Sequence, residues 1–140
     1  MPRSARLGPA ALIATAALLA SAFSAQAATV KPVKGSSGTL EASMIPSTHH
    51  PKVNANWPLK VTATLAGKPA HATAVYEFLF AGSIVSTQYP RFKKHFSFTG
   101  HFTDDLVFPG ASLGEPLTLR VVIGAGGHTV NLDWAITSVN

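Results

Sequence analysis

Arg91-Phe92-Lys93-Lys94-His95 is the densest run of chemistry-bearing side chains in this sequence. Cations interleaved with an aromatic ring suit an anionic polymer. The charges attract over a distance, and the ring offers a flat face for stacking. His101 follows six residues later and extends the same basic character. Arg91, Phe92, Lys93, Lys94, His95 and His101 are therefore the candidate ligand-binding residues. The plainer alternative is a solvated loop whose lysines keep a neighbouring edge strand from pairing.

The histidines raise a second chemistry. His49 and His50 are adjacent on a proline-flanked loop, Pro46 to Pro51, and form the candidate for a metal site. A structural or catalytic metal needs three or four ligands converging at about 2 Å, and there is no cysteine to contribute. His95 and His101 are read on one strand face, about 20 Å apart, too far to share an ion. Pairing of His101 with Asp104 or Asp105 requires the chain to turn there. No spacing shows convergence, so surface histidines are the reading, with metal binding through His49 and His50 as the alternative function.

Catalytic patterns are weaker still. Asp104 and Asp105 are neighbours, and on a strand neighbours point to opposite faces, so they do not make a carboxylate pair. No G-x-S-x-G elbow occurs. Gly124-Ala-Gly-Gly127 is followed by a strand pattern rather than a helix, so it is not a phosphate loop. Asp133 is expected on an outer face, paired with Arg120 or a backbone amide. The reading is no enzyme and no cofactor.

The elements that position these residues are strands. Trp57, Leu59, Val61, Ala63 and Leu65 alternate with polar residues over 57–65, which is the two-residue period of a half-buried strand. The same period predicts strands over 39–45, stopped by Pro46, and over 72–81, with Ala74, Tyr76, Phe78 and Phe80 on one face. A short edge-like strand is predicted over 83–88. Tyr89 to Lys94 reads as a basic loop. Strands over 95–102, 106–108 and 117–123 follow, with a turn beginning at Asp104-Asp105. A last strand carries Val130, Leu132, Trp134 and Ile136 inward. Turn signals fall between these runs, and no sustained 3.6-residue period occurs beyond residue 27. Seven or eight short strands in this cadence predict an all-β antiparallel sandwich, with a small barrel as the alternative. Trp57, Phe78, Phe98, Leu119 and Trp134 are the expected core.

The segment Val61-Thr-Ala-Thr-Leu-Ala-Gly67-Lys-Pro69, followed by Ala74-Val-Tyr-Glu-Phe78 and Gly82-Ser-Ile-Val85, resembles the early strands of bacterial immunoglobulin-like (Big-type) domains. Gly114-Glu-Pro-Leu-Thr-Leu-Arg-Val-Val122 resembles their penultimate strand. The resemblance covers roughly residues 39–139 and implies an immunoglobulin-like fold in a spacer, adhesion or binding module of a secreted or surface protein. The basic stretch Arg91–His95 and the phenylalanine-rich run after it depart from that pattern.

The head of the chain supplies an address. Arg3 and Arg6 precede an uncharged apolar run from Leu7 to Phe23, which closes on Ala25-Gln-Ala27. Basic head, apolar middle and small-residue exit make a secretory signal peptide over residues 1–27. Residues 28–38 read as a flexible, Pro/Gly-rich lead-in, and 39–140 as the domain. Of 140 residues, removing 27 leaves 113, enough for one domain with its own core. Of 11 Lys+Arg, two leave with the leader, so nine against six Asp+Glu give the mature chain +3. That mild excess suits an anionic surface polymer, a glycan or another surface protein. Export argues against nucleic acid. No later run is long enough to span a membrane. The expectation is a secreted, extracellular or periplasmic, monomeric, non-enzymatic binding or structural module.

Overall fold

Two-residue alternation of apolar and polar side chains gives each strand one face that water rejects, and two such faces bury one another. A computed structural model describes residues 30–140. The proposed leader over 1–27 lies outside the described residues. The strands are β1 (Val33–Ser37), β2 (Leu40–Pro46), β3 (Asn56–Leu65), β4 (Lys68–Pro69), β5 (His71–Phe80), β6 (Ser83–Gln88), β7 (Ser97–Thr99), β8 (His101–Val107), β9 (Pro116–Ala125) and β10 (His128–Thr137). Short 3-10 turns at Pro90–Phe92 and Gly110–Ser112 precede β7 and β9.

All strand pairings are antiparallel and fall into two open sheets. The first runs β1-β2-β3, with β4 and β8 sharing the far side of β3. The second runs β10-β9-β5, with β6 and β7 sharing the far side of β5. This is the predicted sandwich and not a barrel. Eight strands have five residues or more; β4 and β7 are the short additions. A single core cluster draws on both sheets and includes Trp57, Phe78, Phe98, Leu119 and Trp134, the five residues expected from parity. Phe108 packs edge-on against both Trp57 and Phe78. Phe96, Phe98 and Phe102 form a second aromatic group.

Three boundaries differ from the sequence reading, each for a local reason. Part of the expected flexible lead-in is ordered: Val33–Ser37 pairs with β2 in register Val33↔Met44 to Ser37↔Leu40. Gly38, at φ +58°, closes that hairpin. Gly35 lies so close to β10 that a Cβ there would stand 2.7 Å from Val130 Cγ1. Glycine content that reads as flexibility is here the condition for close approach.

The run predicted as one strand over 95–102 is two, in different sheets. Gly100, at φ +75°, turns the chain from β7 to β8. Its N–H donates to Ala70 O at 2.9 Å, and its carbonyl accepts from Ala63 N–H at 2.8 Å. His95 and His101 consequently share no strand. Finally, Asp104 and Asp105 begin no turn; they stand in the middle of β8, opposite Leu59 and Pro58. Phe80 keeps its inward parity but lies at the open end of the sandwich and stays 43% exposed.

Candidate functional site

The basic loop leaves β6 through Tyr89 and Pro90. Proline's fixed φ suits the first position of a helical turn, and one 3-10 turn follows. The Phe92 and Lys93 N–H groups donate to the Tyr89 and Pro90 carbonyls at 3.0 and 3.1 Å. The backbone of this turn and of the residues after it is unusual: Arg91 and Phe92 within it, and His95 beyond it, have φ of +52°, +56° and +58°. Non-glycine residues adopt the left-handed region at a steric cost and hold it only where surrounding contacts require it.

Those contacts converge on Asp104. Its Oδ2 accepts from the Arg91 backbone N–H at 3.0 Å and from the Tyr76 hydroxyl at 2.8 Å. Its Oδ1 accepts from the Asp105 N–H at 3.0 Å. The Arg91 side chain continues the attachment, with Nη2 donating to Thr103 O at 3.0 Å and the guanidinium 5.9 Å from the centre of the Phe96 ring. Tyr76 lies in the core. Burial, then the Asp104 carboxylate beside it, pushes its phenol well above the ordinary tyrosine range. The phenol is thereby kept as a proton donor to Asp104. One loop, one strand of each sheet and the core meet at a single carboxylate.

The predicted ligand set separates into three groups. Arg91 is committed to holding the loop. Phe92, Lys93, Lys94 and His95 point to solvent, and the Phe92 ring is 88% exposed, the most exposed large apolar side chain described. Among the described residues the one ion pair joins Arg120 to Asp133, so Lys93 and Lys94 have no acidic partner. His101 stands apart, on the outer face of the other sheet opposite Thr62. It is three residues, about 10 Å, along β8 from Asp104, and borders a shallow groove with Lys60, Thr64 and Pro69. A larger groove of about 610 Å³ runs past Ile45, Pro58, Lys60 and Thr103 to Arg91.

His49 and His50 face β10. The His49 ring stacks on Trp134, centroids 3.7 Å apart at 8°, and its Nδ1 lies 2.7 Å from Ala135 O. His50 Nδ1 lies 3.4 Å from Thr137 O. Trp57 and Trp134 both donate through Nε1 to Thr48 O, at 3.2 and 3.0 Å. The loop between β2 and β3 is therefore fastened across both sheets. Among the described residues no three His, Asp or Glu side chains gather closely enough to hold a metal ion. Asp133 pairs with Arg120 as expected, through two bonds of 2.7 and 2.9 Å. That bond raises the already high Arg120 value further.

Asp104 and Tyr76 were not among the candidates, although a signal was present. Phe102, Asp104, Leu106 and Phe108 form a period-two series, so Asp104 has the parity of a core residue. A carboxylate at such a position needs hydrogen-bond donors waiting for it. No family model matches the chain, and no curated protein matches it. No helix among the described residues is long and apolar enough to cross a membrane.

Proposed function

We propose that this protein is a secreted, non-enzymatic binding module of the bacterial immunoglobulin-like kind, and that it contacts an anionic cell-wall polymer or acidic glycan through Phe92, Lys93 and Lys94. The observation that carries the reading is the Phe92 ring, 88% exposed, on a left-handed turn that Asp104 and Tyr76 fix from below. Aromatic side chains contribute heavily to interfaces, and an exposed ring offers a ligand a flat apolar face. A turn already held in shape loses little freedom when a ligand arrives. Two unpaired lysines beside the ring supply the charge. Arg91 is a positioning residue in this reading, and His101 is too distant to join the same contact without a ligand that extends along β8.

Retention on isolated cell wall or an immobilised acidic glycan tests this. Screening shortens from about 10 Å at 0.1 M salt to about 3 Å at 1 M, so retention should fall steeply across that range. Changing Lys93 and Lys94 together to Ala should weaken retention at low salt and leave the thermal midpoint nearly unchanged, because exposed charges contribute little stability. Phe92→Ala should weaken it further. Equal retention of the wild type and all these variants removes the loop as a binding site.

A further inference from the structure

The free edge of a β-sheet presents unpaired N–H and C=O groups to any other strand, and proteins shield such edges with charge, proline, a bulge, short length or a covering segment. Three flanks of this sandwich are shielded. β1 and β10 close against each other, with Gly35 under Val130 and Leu132. β8 carries Asp104 and Asp105, and the Arg91 guanidinium occupies its Thr103 carbonyl. β6 is different. Ser83-Ile-Val-Ser-Thr-Gln88 has neither charge nor proline and is guarded only by its short length and one bulge at Val85. It pairs with β5 alone among the described strands, and exposes Ile84 by 53% and Val85 by 58%.

The hairpin geometry says which groups are free. Ala81 and Gly82 are both left-handed, at φ +48° and +82°, as a two-residue hairpin turn of the favoured type requires. Phe80 and Ser83 are then the hydrogen-bonded pair that closes the turn. Pairs alternate along an antiparallel ladder, so the Ile84 N–H and C=O point away from β5. Next to this edge the mouth of the sandwich opens as a groove of about 380 Å³, lined by Phe80, Val85, Pro109, Ala111 and Leu117, with Glu115 also on its wall.

We propose that β6 pairs with β6 of a second copy of this chain, antiparallel about a two-fold axis, so that the two β5-containing sheets become one continuous sheet. The charge arrangement selects the second copy. An antiparallel two-fold pairing sets the C-terminal end of β6, beyond which Lys93 and Lys94 follow, beside the partner's N-terminal end, where Phe80 and Glu115 stand. Opposite charges meet, and the two basic loops are kept at opposite ends. The pairing register of β5 and β6 shifts between Phe78 and Leu79, which leaves Val85 as an extra residue on β6. It bends the strand there and limits the ladder to the residues on either side. The contact is consequently short, at the low end of interface areas, and its association is weak and concentration-dependent. The monomer of the sequence reading is the species at dilution.

Sedimentation velocity of the purified protein from about 10 μM to about 1 mM tests this, with amide exchange followed at Ile84. The weight-average mass should climb toward that of a dimer, and Ile84 exchange should slow with concentration. Ile84→Lys and Val85→Lys should each weaken association about tenfold or more while shifting the thermal midpoint little, since both side chains are exposed. A monomer throughout, with Ile84 exchange independent of concentration, overturns the proposal. So does equal association of the folded lysine variants, or an open series of species larger than a dimer, which would mean a contact without two-fold closure.

Discussion

Tyr76 and Asp104 show how one hydrogen bond can serve both core and surface. The phenol donates at 2.8 Å to the oxygen that also receives the Arg91 N–H. Bonds to a charged partner contribute about 1.5–3 kcal/mol, and Tyr76→Phe should lose that amount at neutral pH by chemical denaturation. A loss below about 0.5 kcal/mol would show that the bond anchors nothing. The pH dependence follows from the raised phenol. The folded state holds this proton more tightly than the unfolded chain, whose tyrosines titrate near about 10. Its contribution is complete below that pH and declines as pH rises above it. Denaturation followed into the alkaline range should therefore show the gap between wild type and Tyr76→Phe narrowing above about pH 10. The residue scale is also where the histidines change meaning. His49 lies flat on Trp134, so a side chain read for metal chemistry forms part of the clamp on Thr48.

At the scale of elements, the β7–β8 junction decides which residues face which sheet. A strand pattern of Phe96, Phe98 and Phe102 runs unbroken through Gly100, and alternation alone reads it as one strand. Only the left-handed φ of Gly100 and its two backbone bonds to Ala63 and Ala70 send β8 to the opposite sheet. An alanine in that conformation costs about 1–2 kcal/mol, and at Gly100 its Cβ would also come within 3.1 Å of Pro69 Cβ. Gly67 has a similar φ, +76°, with nothing within 4 Å of a built Cβ, and serves as the control. Equilibrium unfolding should show Gly100→Ala more destabilising than Gly67→Ala. Equal losses would mean that Pro69 yields without cost and that the junction depends on backbone conformation alone.

For the whole molecule, the sandwich and the proposed address fit together. Cleavage after Ala27, as proposed, would leave five residues before β1 at Val33. Intact-mass analysis of the exported protein should therefore show a chain beginning at Ala28. A mass that retains residues 1–27 in the membrane fraction would overturn the secreted reading. With no cysteine in the sequence, the domain relies on its core and its ladders. One cluster spanning both sheets supplies that core, and both indole N–H groups fasten the β2–β3 loop across it.

Strand existence and facing were legible from residue order because burial on one face imposes a two-residue period that the sequence must carry. Trp57 through Leu65 and Val130 through Ile136 show that period, and the two-sheet core follows from it. So does the Arg120–Asp133 pair, since both residues have outward parity on strands joined by a short turn. The exposed basic loop was visible as a composition. What the loop does was not visible. Asp104, Tyr76 and Arg91 are separated by 13 to 28 positions along the chain, and neither propensity nor period says that three such residues share a carboxylate. Their meeting depends on Gly100 sending β8 to the sheet opposite Tyr76. The lightly shielded edge of β6 is decided at the same level, because an edge is defined by the strands that are not beside it, and only the packed structure determines neighbours.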